Sequence, residues 1–345
     1  MPTWGDIVTE VNHSDNAQPN GSPNYDKVRR KYLVALSALT ERPAIVYSSG
    51  FLDSDYPADD IAIALGDVQG FMNAVADLPK GPLDLLITSP GGSPEATESI
   101  IGYLRTHFDH LRAFVPVAAM SAATMLALGC DEIVMGAHSQ LGPIDPQFTI
   151  FTPDGPRSAP GQAIIGQFEQ AKSELRADPQ AIGAWMPILR GLLPGLLAMC
   201  RDQQEVSQRM VRKWLEEYML HDDPDRTPKA AAAATWFADY QYFGSHSRRV
   251  SLQDVQALGL RATALEDDQT LQDAVLSVHH CYSITHSHTG AAKIIENNLG
   301  RAYVKLVRQV LVPARPAQSP GGPVGFPPVG PPNRAQRRRQ DRGRR

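Results

Sequence analysis

Residues 83–135 read LDLLITSPGGSPEATESIIGYLRTHFDHLRAFVPVAAMSAATMLALGCDEIVM, and this stretch decides the fold. Three short apolar runs, typical of buried strands, alternate with two segments in which apolar residues recur at helical spacing. The predicted strands are Leu83–Thr88, Leu111–Val117 and Glu132–Met135, and the predicted helices are Glu95–Phe108 and Ser121–Leu128. Because strands that alternate with helices form parallel sheets covered by helices, the sequence predicts an α/β fold.

The alternation extends toward the N-terminus, whereas the C-terminal half has a mostly helical pattern. Ala44–Ser48 is a further predicted strand, preceded by a predicted helix at Asp26–Thr40 and followed by one at Asp59–Leu78. The C-terminal predicted helices are Gly161–Arg176, Pro179–Met199, Gln203–Leu220, Lys229–Tyr240, one that starts at Ser251, and Thr270–Leu311. The sequence therefore predicts an α/β core with an additional helical C-terminal half.

The composition is that of an ordinary folded protein. The chain has 345 residues, of which 42% are hydrophobic and 20% charged, and this excludes collagen, a wholly disordered chain and a disulfide-stapled miniprotein. No apolar run approaches the roughly 20 residues of a membrane span, and the first residues lack a signal-peptide layout. Three cysteines, each within an apolar segment, favour reduced buried thiols. We therefore expect a cytoplasmic protein with no membrane contact.

The charge is unevenly distributed along the chain. Residues 334–345 contain seven arginines and one aspartate, which is a local charge of +6. Since the net charge of the chain is −4, the preceding 333 residues together carry a charge of −10. Residues 313–332 contain eight prolines and four glycines, which is typical of a linker. We predict a lead-in and helix at 1–40, one domain at 41–312, and a disordered tail at 313–345 that makes at most weak contacts with polyanions.

Two loops of the predicted sheet could carry chemistry. Gly91 and Gly92 let the backbone turn sharply and aim N–H groups at a ligand, and Ser121 lies where a strand joins a helix. Together they could supply a serine nucleophile and an oxyanion hole, with donors from the two glycines and the backbone N–H of Ala122. Spacing alone favours the simpler interpretation, in which Ser121 is a helix N-cap and Pro90-Gly91-Gly92 is a turn.

Several separated motifs resemble the serine dehydrogenase proteinase family, whose members are Clp-protease-like serine peptidases of the Clp/crotonase superfamily. The motifs are residues 85–147, Gly244-Ser245-His246-Ser247-Arg248, Leu271-Gln272-Asp273 and HHCYSITHSHTGAAKIIENNLG at 279–300, so the resemblance spans roughly residues 4–305. It implies a Clp/crotonase-like spiral of strand-strand-helix units, Ser121 as the nucleophile, and Gly91 and Gly92 as the oxyanion loop. It also implies an endopeptidase that hydrolyses peptide or protein substrates and assembles into homo-oligomers.

The chain departs from the family pattern at two places. Relatives often carry Ser-Ala-Gly-Thr at the nucleophile, whereas Ala123 here replaces the glycine, and we expect its methyl group to narrow the site. Relatives often carry His-Thr-Pro-Gly-Gly at the loop, whereas Thr88 and Ser89 precede Pro90 here. The chain therefore lacks a histidine at position 88 that could serve as a polar partner.

The general base is open on sequence alone. A neutral serine needs a base within about 2.6–3.2 Å, and relatives use either a Ser-His-Asp triad or a Ser-Lys dyad. Lys172, 51 residues after Ser121, is our first choice because this separation suits a dyad. His138 and His246 are the alternatives. Asp145 could orient a histidine, although its flanking prolines favour a turn.

The remaining motifs give no sign of a metal or a cofactor. His279, His280, Cys281, His286 and His288 lack the usual paired-ligand spacing of a zinc site, and adjacent histidines on a helix point apart. The chain contains no phosphate-binding loop, so any ATP dependence would come from a partner. Two other functions remain open: a catalytically silent scaffold that binds through the same groove, and a crotonase-like enzyme acting on acyl thioesters.

Overall fold

The computed structural model describes residues 3–152 and 155–307. Its strands are β1 (Ala44–Ser49), β2 (Gly81–Thr88), β3 (Phe108–Val115), β4 (Ala118–Ala119), β5 (Glu132–Met135), β6 (Gln140–Leu141), β7 (Gln147–Thr152), β8 (Gly155–Pro160), β9 (Ala262–Ala264), β10 (Ala291–Asn297) and β11 (Ala302–Leu306). Seven strands form the central sheet in the order β11-β10-β1-β2-β3-β5-β9. The strands β1, β2, β3, β5 and β9 run parallel to one another. Strand β10 runs antiparallel to both of its neighbours, β1 and β11. The predicted α/β class is confirmed.

Helices cover both faces of this sheet. They are α1 (Trp4–Val11), α2 (Tyr25–Thr40), α3 (Ala58–Ile61), α4 (Asp67–Val75), α5 (Pro94–Arg105), α6 (Ala122–Leu128), α7 (Gly161–Ala177), α8 (Ile182–Leu189), α9 (Leu196–Trp214), α10 (Arg226–Phe237), α11 (Tyr240–Phe243), α12 (Leu252–Ala257) and α13 (Gln269–His288). Because both faces are covered, the parallel strands are buried over much of their length, and all six residues of β1 and the last six of β2 are buried.

Alternate residues of each strand enter different cores. Leu85 and Ile133 pack with residues of α4, α5 and α6 on one face, whereas Leu86 and Val134 pack with α2 and α13 on the other. This division follows from the two-residue period of a strand. The face with α5 and α6 is the one that carries both candidate loops, since Gly91 and Gly92 precede α5 and Ser121 precedes α6.

Three predicted helices differ in the structure. Asp59–Leu78 is two short helices, α3 and α4, because Ile63 between them pairs with Gly92 as an isolated β-bridge. Pro179–Met199 breaks into a 3₁₀ turn, α8 and the start of α9, with Gly195 left-handed before α9. The predicted helix Thr270–Leu311 is correct only as far as His288, where α13 ends and two strands follow. Residues 308–311 of that prediction lie outside the described residues.

The missed strand β10 lies inside the sheet between β1 and β11, and all seven of its residues are buried. Its Lys293 and Glu296 carry charges that are compensated by residues distant in sequence, Asp67 and Arg29 respectively. These partners lie far away in the sequence, so the local pattern does not reveal them. The charged residues of β10 therefore favoured a helix over a buried strand. The β7–β8 hairpin and β9 were also not predicted.

The predicted lead-in packs on the body of the protein. Ile7 of α1 and Val28 of α2 form a small core with Cys281 and Ile284 of α13. All three cysteines are buried and free, as expected. Among the described residues no helix has the length and apolar character that a membrane span requires. The predicted linker and arginine-rich tail at 313–345 lie outside the described residues.

Candidate active site

The two candidate loops lie side by side because their strands do. The N–H of Ser89 donates to the carbonyl of Ala118 at 3.0 Å, and the N–H of Met120 donates to the carbonyl of Ser89 at 2.9 Å. This short parallel bridge, between Ser89 and Ala119, places the glycine loop against the residue before the helix. The structure therefore brings Gly91, Gly92 and Ser121 together, and all three line one cleft of about 540 Å³.

Ser121 occupies a sharp turn between β4 and α6. Its φ of 54° and ψ of −121° lie in a region that L-residues rarely adopt, and the N–H of Ala123 closes the turn on the carbonyl of Met120 at 2.9 Å. The side chain of Ser121 makes no capping hydrogen bond to α6. The N-cap interpretation is therefore wrong, and the half-buried hydroxyl is left at the cleft.

The glycine loop presents backbone N–H groups to the same cleft. Gly91 donates its N–H to the hydroxyl of Ser89 at 3.2 Å. The N–H groups of Gly92 and Ala122 have no hydrogen-bond partner within residues 3–152 and 155–307. Of the three predicted donors, Gly92 and Ala122 are thus the ones available to a ligand, because the Gly91 N–H is already engaged.

A histidine in the wall of the same cleft is paired with a buried aspartate. Nδ1 of His246 is 2.7 Å from Oδ1 of Asp145, whose other carboxylate oxygen accepts from the side-chain amide of Gln147 at 2.7 Å. Asp145 is buried, and His246 is partly exposed and lines the cleft with Ser121. Since Nδ1–H donates to the carboxylate, the neutral imidazole carries its lone pair on Nε2. Asp145 orients a histidine, and the prediction that it serves only a turn is wrong.

His246 reaches this position because the chain reverses after α11. Gly244 ends the helix with a φ of 67°, a left-handed conformation that is unfavourable for residues with a side chain. The guanidinium of Arg248 then donates to the carbonyls of Tyr242 and Phe243 at 3.1 and 3.2 Å, which holds the loop on the helix that precedes it. The motif at residues 244–248 thus brings a histidine into contact with an aspartate that lies 101 positions earlier in the sequence.

The other two candidate bases lie elsewhere. Nζ of Lys172 pairs with Glu169 one turn away on α7 at 2.7 Å, the side chain is 42% exposed, and the residue is not among the described residues that line the cleft. His138 is exposed and its Nε2 lies 2.9 Å from the carbonyl oxygen of Pro116. The structure therefore brings His246, and neither Lys172 nor His138, to the cleft of Ser121.

The two departures from the family pattern lie outside the cleft. Ala123 is fully buried in the core of α5 and α6, so its methyl group does not narrow the site as expected. Thr88 is also buried and is not among the described residues that line the cleft. Position 88 is thus not part of the described lining of this cleft.

The walls of the cleft are mostly apolar. Ile61, Pro94, Phe148 and Met199 line it, and Glu95 contributes a carboxylate. Hydrogen bonds from the backbone N–H of Glu95 itself and from the Ser93 side chain lower the pKa of this carboxyl, which is therefore anionic at neutral pH. Among the described residues, no group of three or more His, Cys, Asp and Glu side chains is arranged to hold a metal ion. Such a cleft can bind a mainly apolar chain beside a serine hydroxyl.

Part of this cleft lies in a segment that is similar to known proteins. Residues 61–173 match the family of ClpP-like SDH-type serine proteinases. Two uncharacterized proteins of Methanocaldococcus jannaschii are similar: MJ0137 is 34% identical over 121 residues, and MJ1495 is 36% identical over 86 residues. These matches cover 35% and 25% of the chain, but only 39% and 30% of the relatives.

Two solved structures are also similar to the chain, each at 14% identity, and both are point mutants of the 1510-N membrane-bound stomatin-specific protease. The first, a serine-to-alanine mutant, covers 62% of this chain and 79% of its own, with a TM-score of 0.37. The second, a lysine-to-alanine mutant in complex with a substrate peptide, covers 71% and 83%, with a TM-score of 0.36. The matched segment 61–173 contains Ser121 and both glycines of the loop. Over residues 61–173 the chain is thus similar to the ClpP-like SDH-type serine proteinases.

Proposed function

We propose that this protein is a serine peptidase that uses a Ser-His-Asp triad, with Ser121 as the nucleophile, His246 as the general base and Asp145 as the residue that orients the histidine. The observation that carries the proposal is that His246, which is hydrogen-bonded to Asp145, lines the same cleft as Ser121. The match of residues 61–173 to a serine proteinase family supports it. His246 thereby replaces Lys172, our first choice from the sequence.

The proposed reaction is acyl transfer to the serine hydroxyl. Nε2 of His246 accepts the hydroxyl proton while Ser121 Oγ attacks the peptide carbonyl, and the imidazolium that forms is stabilised by Asp145. The N–H groups of Gly92 and Ala122 hold the oxyanion of the tetrahedral intermediate. The imidazolium then returns its proton to the leaving amine, and water hydrolyses the acyl-enzyme by the same sequence of transfers.

A fluorophosphonate probe tests the proposal, because it reacts covalently with activated serines. We expect labelling of the full chain, no labelling of Ser121→Ala, and labelling at least 100-fold slower for His246→Gln. Labelling of Lys172→Ala should proceed at the normal rate. A folded protein that the probe does not label would favour the silent scaffold. Normal labelling of His246→Gln with slow labelling of Lys172→Ala would instead favour a Ser-Lys dyad.

The proposed substrate is a peptide or protein, and a library of quenched fluorescent peptides tests this. We expect the wild type to hydrolyse members of the library and Ser121→Ala not to do so. A crotonase-like enzyme would instead bind coenzyme A thioesters with an affinity that survives Ser121→Ala. Self-association, a cytoplasmic location and weak polyanion contacts of the tail stay predictions.

A further inference from the structure

A buried ion pair lies directly behind the glycine loop. Lys293 of β10 has a side chain with no exposed surface, and its Nζ donates to both carboxylate oxygens of Asp67 at 2.9 and 2.8 Å. The third hydrogen-bond partner of Nζ is the backbone carbonyl of Ala62 at 2.5 Å. Asp67 also accepts from the hydroxyl of Tyr47 at 2.8 Å. The charges of both side chains are therefore fully satisfied within the protein.

This pair holds the segment that orients the loop. Lys293 holds the carbonyl of Ala62, and Asp67 accepts from the N–H of Ala64 at 3.0 Å, so the residues on either side of Ile63 are both fixed by the same ion pair. Ile63 in turn donates its N–H to the carbonyl of Gly91 at 2.7 Å and accepts from the N–H of Ser93 at 2.9 Å. These two bonds bracket Gly92.

The contact between Ile63 and Gly92 is too close to admit a side chain on Gly92. A β-carbon built on Gly92 would lie 2.4 Å from both the N and O atoms of Ile63. Because the Gly91 carbonyl, which accepts from Ile63, and the Gly92 N–H belong to one planar peptide unit, a shift of Ile63 of a few tenths of an ångström would move the free N–H as well. A displacement on this scale matters, because an oxyanion donor must lie 2.7–3.1 Å from the developing charge.

Stability alone gives no reason for such a pair. Replacing a buried ion pair by apolar or neutral residues of similar size is often neutral or stabilising, since desolvation offsets the Coulomb attraction. We propose that Lys293 and Asp67 are positioning residues, which hold residues 62–64 in place and so aim the Gly92 N–H at the substrate carbonyl. The proposal rests on the proposed function of the cleft.

Two variants separate positioning from folding. Lys293→Met removes the bond to Ala62 and leaves Asp67 without its cation, so it loses thermal stability as well. Lys293→Met/Asp67→Asn removes the buried charge, while the Asn side-chain oxygen still accepts from Tyr47 and Ala64. We expect the double variant to regain most of the thermal midpoint but to keep a kcat at least about 10-fold below wild type, with KM changed less than 2-fold. Its affinity for a peptide boronate should fall by the same factor as kcat.

The matched control is the other buried ion pair of β10. Glu296 accepts from Arg29 and Arg30, and none of these three residues is among the described residues that line the cleft. Arg29→Met should lower the thermal midpoint as strongly as Lys293→Met does, and it should leave kcat unchanged in the folded protein. A double variant of Lys293 and Asp67 that regained kcat together with stability would overturn the proposal.

A second measurement decides the proposal without catalysis. Amide hydrogen exchange of the full chain reports directly on the bonds between Ile63 and the loop, and we expect the Ile63 and Ser93 amides to exchange at least 10-fold faster in the double variant than in wild type. Unchanged exchange of these two amides would overturn the proposal whatever the activity. If the wild type proved inactive, the proposed function would fail, and exchange would still decide whether the ion pair holds the loop.

Discussion

Gly91 lies so close to Ser121 that a β-carbon built on it would be 2.7 Å from the Ser121 β-carbon and 2.5 Å from the carbonyl oxygen of Met120. The φ of Gly91 is +97°, a conformation that L side chains rarely adopt. Glycine is therefore required here for two independent reasons, and the second of them, the close approach, concerns the candidate nucleophile itself. The contact couples the geometry of the loop to the geometry of the serine turn.

Gly91→Ala should thus impair the site more than it impairs the fold. We expect fluorophosphonate labelling at least 100-fold slower than wild type, because Ser121 and Met120 must move to admit the methyl group. Gly81→Ala is a matched control: Gly81 has a φ of +120°, yet nothing lies within 4 Å of the position that its added β-carbon would take. It should show a similar backbone strain and normal labelling. Equal labelling rates for the two variants would contradict the contact argument.

The backbone of Ser121 itself stores strain. Holding a non-glycine residue at a φ of 54° and a ψ of −121° destabilises the folded state by about 1–3 kcal/mol, and favourable contacts elsewhere in the fold offset this cost. Ser121→Gly should therefore unfold in urea with a free energy about 1 kcal/mol higher than that of Ser121→Ala, although both variants lack the nucleophile. In relaxed backbone the order is reversed, with glycine about 0.5–1 kcal/mol less stable. The reversed order in this protein would show that the turn is unstrained.

The strands β1, β2, β3 and β5 could be predicted because their signals are local. Each contains a short apolar run next to a turn, and burial of the sheet on both faces favours such runs. Once these strands are parallel neighbours, the loops after β2 and β3 must lie at the same edge of the sheet. Gly91, Gly92 and Ser121 could thus be placed together from the sequence.

The general base could not be predicted, because its position depends on contacts between distant segments. The spacing of Lys172 from Ser121 suggested a dyad, but α7 places this lysine on a solvated face. His246 and Asp145 occur in two of the motifs on which the family resemblance rests, yet no spacing rule relates residues 101 positions apart. The strand β10 was missed for the same reason, since the partner of Lys293 is Asp67.

Asp145→Asn tests the role of the buried carboxylate. The amide cannot stabilise an imidazolium and can hold the wrong tautomer of His246, so we expect kcat to fall by about 10²–10⁴ with little change in KM. Lys172→Ala is the control, since this lysine forms an exposed pair with Glu169 that contributes at most about 1 kcal/mol to stability. Wild-type kcat in Asp145→Asn would remove Asp145 and His246 from the mechanism.

Glu95 sets the charge of the cleft. It is the one Asp or Glu among the described lining residues, and hydrogen bonds keep it ionised. We expect peptides with Arg or Lys near the scissile bond to be cleaved faster than neutral peptides, and Glu95→Gln to lower kcat/KM for the basic peptides by about 3–10-fold. Glu98→Gln, one turn further along α5 and outside the described lining, is the control. An equal loss for basic and neutral peptides would exclude an electrostatic preference.

His286 predicts a pH dependence of stability that is independent of the active site. It is fully buried, its Nδ1 lies 2.6 Å from the carbonyl oxygen of Ala291, and its Nε2 lies 2.9 Å from the hydroxyl of Ser48. A carbonyl only accepts, so Nδ1 carries the proton and Nε2 accepts from Ser48, which describes a neutral imidazole. Burial lowers the pKa of His286 from 6.5 to about 4.

The sign of the effect follows from proton uptake. Above pH 6.5 His286 is neutral in both the folded and the unfolded chain. As the pH falls from 6.5 to about 4, the unfolded chain binds the proton first, so the free energy of unfolding decreases, by about 3 kcal/mol in total. His286→Gln removes this contribution, and its unfolding free energy should therefore fall less steeply over the same interval.

Urea unfolding at intervals between pH 7 and pH 4 measures this difference. Near pH 5.3 the wild type should lose about 1 kcal/mol more per pH unit than His286→Gln does, whatever the absolute stabilities of the two proteins. Ser287→Ala, at an exposed position of the same helix that carries no titratable group, should leave the wild-type slope unchanged. Parallel curves for wild type and His286→Gln would mean that the folded protein accepts a proton at His286, which the bond to Ala291 and the acceptor role of Nε2 argue against.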